Sequence, residues 1–124
     1  MRRILCRMTD SGSVLDFRAL TSVRERMRGL LGTDRSTEGV VLCGCSSIHT
    51  WGMGYALDVA FVSRRGEVLK SARAVPPRRL ISAAGAYYVF ERPASFDAWP
   101  SVGSWVSIAQ KEQLTCEQLS LANS

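Results

Sequence analysis

Residues 48–61 read IHTWGMGYALDVAF, and the sequence changes character in the middle of them. From Ala56 the side chains alternate as in a strand. Leu57, Val59 and Phe61 fall on one face and Ala56, Asp58, Ala60 and Val62 on the other, so a carboxylate sits among small apolar residues. The part before Ala56 has the composition of a loop, with His49, Trp51 and Met53 spaced by Gly52 and Gly54. It holds the single histidine of the chain and two side chains long enough to wall a pocket.

Working outward, Arg64-Arg65-Gly66 is turn chemistry. It brings residues 67–75 back as the antiparallel partner of the 56–62 strand, until Pro76-Pro77 removes the ladder donors. Residues 40–45 and 87–91 are further apolar runs of strand length, and Trp99 reads as an anchor in the 94–101 loop. Residues 102–109 alternate as a last strand. Upstream, residues 1–8 and 14–19 form an expected hairpin, with Ile4, Cys6 and Met8 on one face.

Ser22-Val23-Arg24-Glu25 matches a capping box, and Val23, Met27, Leu30 and Leu31 recur at helical spacing, which predicts one short amphipathic helix over about 22–31. Six or more short strands with one helix give an α+β, mostly β domain. So many short edges favour a small, partly closed β-barrel-like sheet over a flat one. The 124 residues read as a single domain with a polar tail from about 110 that is expected to be mobile.

The composition is that of an ordinary globular chain, 46% hydrophobic and 22% charged. No apolar run approaches the length that spans a bilayer, and the start lacks the apolar core of a signal peptide. A cytoplasmic protein is expected, with Cys6, Cys43, Cys45 and Cys116 reduced. The net charge is +5, carried by fourteen arginines and two lysines and concentrated before Arg35. No basic stripe is interleaved with aromatics, so the sequence reads as a solvated arginine-rich surface and nucleic acid is not the expected partner.

The order of motifs is distinctive: VRERMRGLLG, then IHTWGMGYALDVAFV, RRGEVL, a proline pair, YVFE and a late VGS. It resembles the domain of unknown function 192 family over about residues 20–106. The resemblance implies a compact, mostly β, barrel-like domain with no established activity. It marks Arg26, Gly29, Leu30, Cys45, His49, Thr50, Gly52, Met53, Asp58, Phe61, Gly66, Pro76, Glu91 and Gly103 as pattern positions. Ser104 stands where the family commonly has an acid, and Ala56 where it commonly has a proline.

The chemistry of these residues leaves three function classes. The first is a non-enzymatic accessory or binding module with a pocket around the 49–53 loop, using His49, Thr50, Trp51, Met53, Asp58, Arg26 and Glu91 toward a small ligand or a protein partner. The second is a small hydrolase with His49 oriented by Asp58 or Glu91, although no complete catalytic constellation is visible. The third is a basic surface for nucleic acid. A buried carboxylate must find a partner, so Asp58 is expected to pair with Arg26 or to cap loop amides near Gly52 and Gly54. Cys43, Cys45 and His49 make a weak metal set. Two residues apart in a strand, the cysteines should share a face and pack as small apolar groups, and no cofactor is implied.

Overall fold

The structure, a computed structural model, describes residues 2–9, 11–20, 30, 32–34 and 37–112. Among them nine strands follow in order: β1 Arg2–Met8, β2 Val14–Leu20, β3 Val40–Cys43, β4 Ser47–His49, β5 Leu57–Ser63, β6 Val68–Val75, β7 Leu80–Ser82, β8 Ala86–Pro93 and β9 Val106–Glu112. Seven of them make one curled sheet in the order β6-β5-β8-β3-β2-β1-β9, and β4 pairs with β7 alone. Among the described strands only β2 and β3 pair in parallel, so the chain must cross over between the end of one and the start of the other.

The sheet curls because its two faces bury different sets of side chains. Ile4, Cys6, Met8, Phe17, Ala19, Val41, Ala60, Val62, Val68, Phe90 and Val106 come from all seven strands and meet inside the curl with Trp99. Leu57, Val59, Phe61, Val40, Leu42 and Val89 point the other way, where Ile48, Met53, Tyr55 and Leu30 cover them. The middle strands are therefore buried on both faces, and β5 reads as a nearly continuous apolar run. Each valine, leucine or phenylalanine removed from water there contributes about 1.5–3 kcal/mol.

The curl nearly closes. Residues 94–105 run along the outer edge of β6, where Ser71 Oγ donates to the Pro100 carbonyl (2.6 Å), Gly103 N to Val68 O (2.9 Å) and Val68 N to Ser104 O (2.9 Å). A bridge between Glu67 and Trp105 and a bond from Val106 N to Gly66 O then join the start of β9 to the start of β6. Gly66 has φ 104°, and a Cβ there would meet the Val106 carbonyl oxygen, so this contact requires glycine. The strap covers an edge that would otherwise be open to another chain.

Several expectations change. The helix read over 22–31 falls on residues 22–29 and 31, which lie outside the described residues, and among those described no helix occurs. The last strand begins at Val106 because 101–105 are spent on closing the curl, and it runs through Glu112, paired with Arg2. The tail expected from about 110 therefore starts inside a strand, and residues from 113 lie outside the described set. Cys43 and Cys45 do not share a face. Gly44 takes φ 71°, which turns the chain so that Cys43 packs toward the inner cluster and Cys45 toward the outer one.

Candidate functional site

The 48–55 segment and the chain after the proline pair form a two-stranded arm over the outer face of the sheet. Ile48 pairs with Ile81 and His49 with Leu80, and period-two alternation turns Ile48 into the outer cluster and His49 to solvent. Thr50, fully buried, locks the arm at its end. Its Oγ1 donates to the Pro76 carbonyl (2.8 Å) and accepts from Arg79 N (2.8 Å). Its own N–H donates to Arg79 O (2.8 Å), and its carbonyl accepts from Met53 N (3.2 Å) and Arg78 N (3.3 Å). Five bonds on one residue fix the 50–53 turn against 76–79, where Arg78 holds φ 66° and Gly52 φ 83°.

This locking sorts the candidates. Met53 and Tyr55 go inward, and the Tyr55 hydroxyl is 2.6 Å from Thr33 Oγ1. Trp51 remains 51% exposed and Leu80 70% exposed, with the Trp51 and His49 ring centroids 6.2 Å apart and tilted by 55°. Arg78 and Arg79 are exposed beside them. The surface is a raised apolar and aromatic patch with basic neighbours. Leu80, Arg78 and Arg79 are absent from the sequence-based candidates, since nothing local announces a three-residue strand behind two prolines.

Asp58 lies on the opposite side of β5 from this arm, on the face of Ala60 and Val62. It is 1% exposed and fully engaged. Arg92 Nε donates to its Oδ2 at 2.9 Å, Ser95 N to the same oxygen at 3.2 Å, and Ala74 N to Oδ1 at 3.0 Å, while Arg73 stands 4.0 Å away. The expected partner Arg26 lies outside the described residues, and the capped amides belong to Ala74 and Ser95, not to the loop of Gly52 and Gly54. Ala74 sits at φ 54° where the β5–β6 register slips, so the carboxylate satisfies a bulge. Arg92 also donates to Asp97 O (2.8 Å) and Ala98 O (3.1 Å), and its guanidinium lies 4.4 Å from the centre of the Trp99 ring. Asp58 is directly opposite Arg92 in the β5–β8 register, which a single strand's alternation does not reveal.

Glu91 is opposite both Val40 and Val59 and is 4% exposed on the outer face. Burial pushes its carboxyl up to about 7. Burial likewise pushes the Cys6 thiol up to about 12, which makes it an inert core group. Among the described residues no hydrogen bond or ion pair joins His49 to Asp58 or Glu91, and the hydrolytic dyad is not assembled. Among them also, no three His, Cys, Asp or Glu side chains converge to hold a metal.

Fold and site define a class: a curled seven-stranded β half-barrel that carries a rigid two-stranded arm. Two solved structures share the fold. A putative transcription regulator from Sinorhizobium meliloti 1021 superposes with a TM-score of 0.67 at 17% identity, covering 86% of this chain and 92% of that one. A protein of unknown function from Novosphingobium aromaticivorans DSM 12444 gives 0.66 at 18% identity, covering 86% and 83%. At this identity the likeness is one of fold alone. No family model and no curated protein matches the chain.

Proposed function

We propose that the chain is a non-enzymatic binding module whose recognition surface is the exposed face of the β4–β7 arm, and that it belongs to the domain of unknown function 192 family its motif order resembles. His49 and Trp51 meet the partner, while Thr50 and Met53 hold them in place. The observation that carries this reading is the pairing of rigidity with exposure. A turn fixed by five hydrogen bonds on Thr50 presents a half-exposed indole, an exposed imidazole and a leucine at 70% exposure. Tryptophan and arginine on a preorganised backbone are the side chains from which recognition hot spots are built. Asp58 and Glu91 are structural acids of the sheet in this reading, and a cytoplasmic location suits the Cys6, Cys43 and Cys45 thiols.

The test is site-specific photo-crosslinking in cells, with a benzophenone amino acid at Leu80 or, as control, at Phe96, which is exposed on the strap. A discrete adduct from position 80 that Trp51→Ala abolishes is the expected result. Equal adducts from both positions, or none from position 80, would remove the arm as the recognition surface.

A further inference from the structure

We propose that the arm binds single-stranded nucleic acid, with bases stacking on Trp51 and His49 and phosphates taken by Arg78, Arg79 and Lys70. This deepens the reading of the arm as the recognition surface and rests on it.

Charge is the first support. The two stretches that build the arm and its flanks, residues 39–57 and 68–90, contain no aspartate or glutamate, against Lys70, Arg73, Arg78 and Arg79. Arg73 is occupied by the carbonyls of Ser95 and Asp97 and lies near Asp58. The other three cations are exposed, and Lys70 reaches β7 itself, donating to Ser82 O at 3.1 Å. Asp58 and Glu91 are buried in the sheet, Asp16 and Glu38 pair with Arg3, and Glu67 belongs to the closing bridge at the far end of β6. Two acid-free segments that carry only cations favour an anionic partner.

The rings narrow the class. The Trp51 and His49 centroids are 6.2 Å apart and the planes are inclined by 55°, so the two rings do not stack on each other. Base stacking works on such an open ring and is tolerant of sequence. An acidic peptide would need a pocket to bury its anchor, whereas Trp51 and Leu80 stand out from the surface at 51% and 70% exposure. Planar guanidinium forks suit phosphate, and Arg78 and Arg79 follow directly on the Thr50 lock. The linear sequence has no basic stripe interleaved with aromatics. The antiparallel β4–β7 pairing makes one from segments far apart in the chain.

The experiment is fluorescence anisotropy of the full chain with a labelled oligothymidylate about twelve nucleotides long, between about 50 and about 200 mM salt. Saturable binding is expected. Trp51→Ala weakens it about tenfold, as for loss of one stacked base, and Trp51→Phe restores most of it. The double variant Arg78→Ala/Arg79→Ala lowers the slope of log affinity against log salt by about 1.4, two phosphates at about 0.7 each. Phe96→Ala and Trp105→Ala, exposed on the strap, leave binding unchanged, and near-ultraviolet circular dichroism confirms that each variant is folded. The proposal is overturned by absence of binding at about 50 mM salt, by binding that the Trp51 and arginine variants leave intact, or by poly-L-glutamate competing as well as the oligonucleotide. A Leu80 crosslink in cells without oligonucleotide binding would retire the nucleic acid and leave the recognition surface standing.

Discussion

Glu91 offers a prediction that separates a neutral buried acid from a paired one. Its carboxyl is pushed from the ordinary 4.5 to about 7 by burial between Val40 and Val59. In the unfolded chain it ionises near 4.5, whereas in the fold it keeps its proton to about 7. A raised carboxyl disfavours folding once the unfolded group has ionised, so stability is complete below 4.5, falls as pH rises to about 7 and is level above that. Each pKa unit is worth 1.36 kcal/mol, and a gap of about two and a half units costs about 3 kcal/mol. Glu91→Gln keeps the shape and removes the charge. It should gain about 3 kcal/mol over the parent near pH 8 and almost nothing near pH 4, a difference of about 10 °C in Tm for a chain of this size. Urea and thermal denaturation of both proteins across that range measure it, and subtracting the two curves cancels the other carboxylates. If Glu91→Gln were instead destabilised near pH 8, with the difference between the two curves already level above 4.5, the carboxylate would be ionised and held by a cation. Arg18 would then be the group to substitute, since it shares the row across Val40 and its Nε is buried without a hydrogen-bond partner.

Three further outcomes follow from the geometry. Asp58→Asn strips a buried ion pair of its charge and leaves the Arg92 guanidinium uncompensated, so urea denaturation should show a loss of about 3–5 kcal/mol, and a loss under about 1 kcal/mol would contradict the network. Thr50→Val keeps the volume but orphans the Pro76 carbonyl and the Arg79 amide. It should cost about 1–3 kcal/mol, with faster hydrogen exchange confined to residues 50–53 and 76–79. Gly66→Ala forces a Cβ against the Val106 carbonyl at a positive φ. It should cost about 3 kcal/mol and unprotect the Val68 and Val106 amides, whereas unchanged exchange there would mean that the curl closes without that contact.

Most strands were legible because alternation is a local property. Leu57, Val59 and Phe61 fall on one face and Asp58, Ala60 and Val62 on the other, as the pattern requires. Ile4, Cys6 and Met8 share the inner face for the same reason. The anchor role of Trp99 was also visible, and its indole donates to Val59 O at 3.3 Å. Asp58 was identifiable as a buried acid in need of a partner, but Arg92 as that partner was not. Its choice depends on the β5–β8 register, and register is set by how whole strands dock, not by either strand alone.

The 48–61 stretch shows where the division falls. The sequence by itself determined that an aspartate lies inside a core strand, that a glycine-spaced aromatic loop precedes it, and that the chain is mostly β, since periodicity and turn chemistry act between near neighbours. Only the tertiary structure decided that β5 separates the two halves of the stretch. Asp58 faces the inside of the curl with Arg92, and His49 and Trp51 ride outside on an arm completed by Leu80, Arg78 and Arg79. The reason is physical: a strand buried on both faces hides its sidedness from its own hydropathy, and a surface made from two distant segments exists only once backbone hydrogen bonds have paired them.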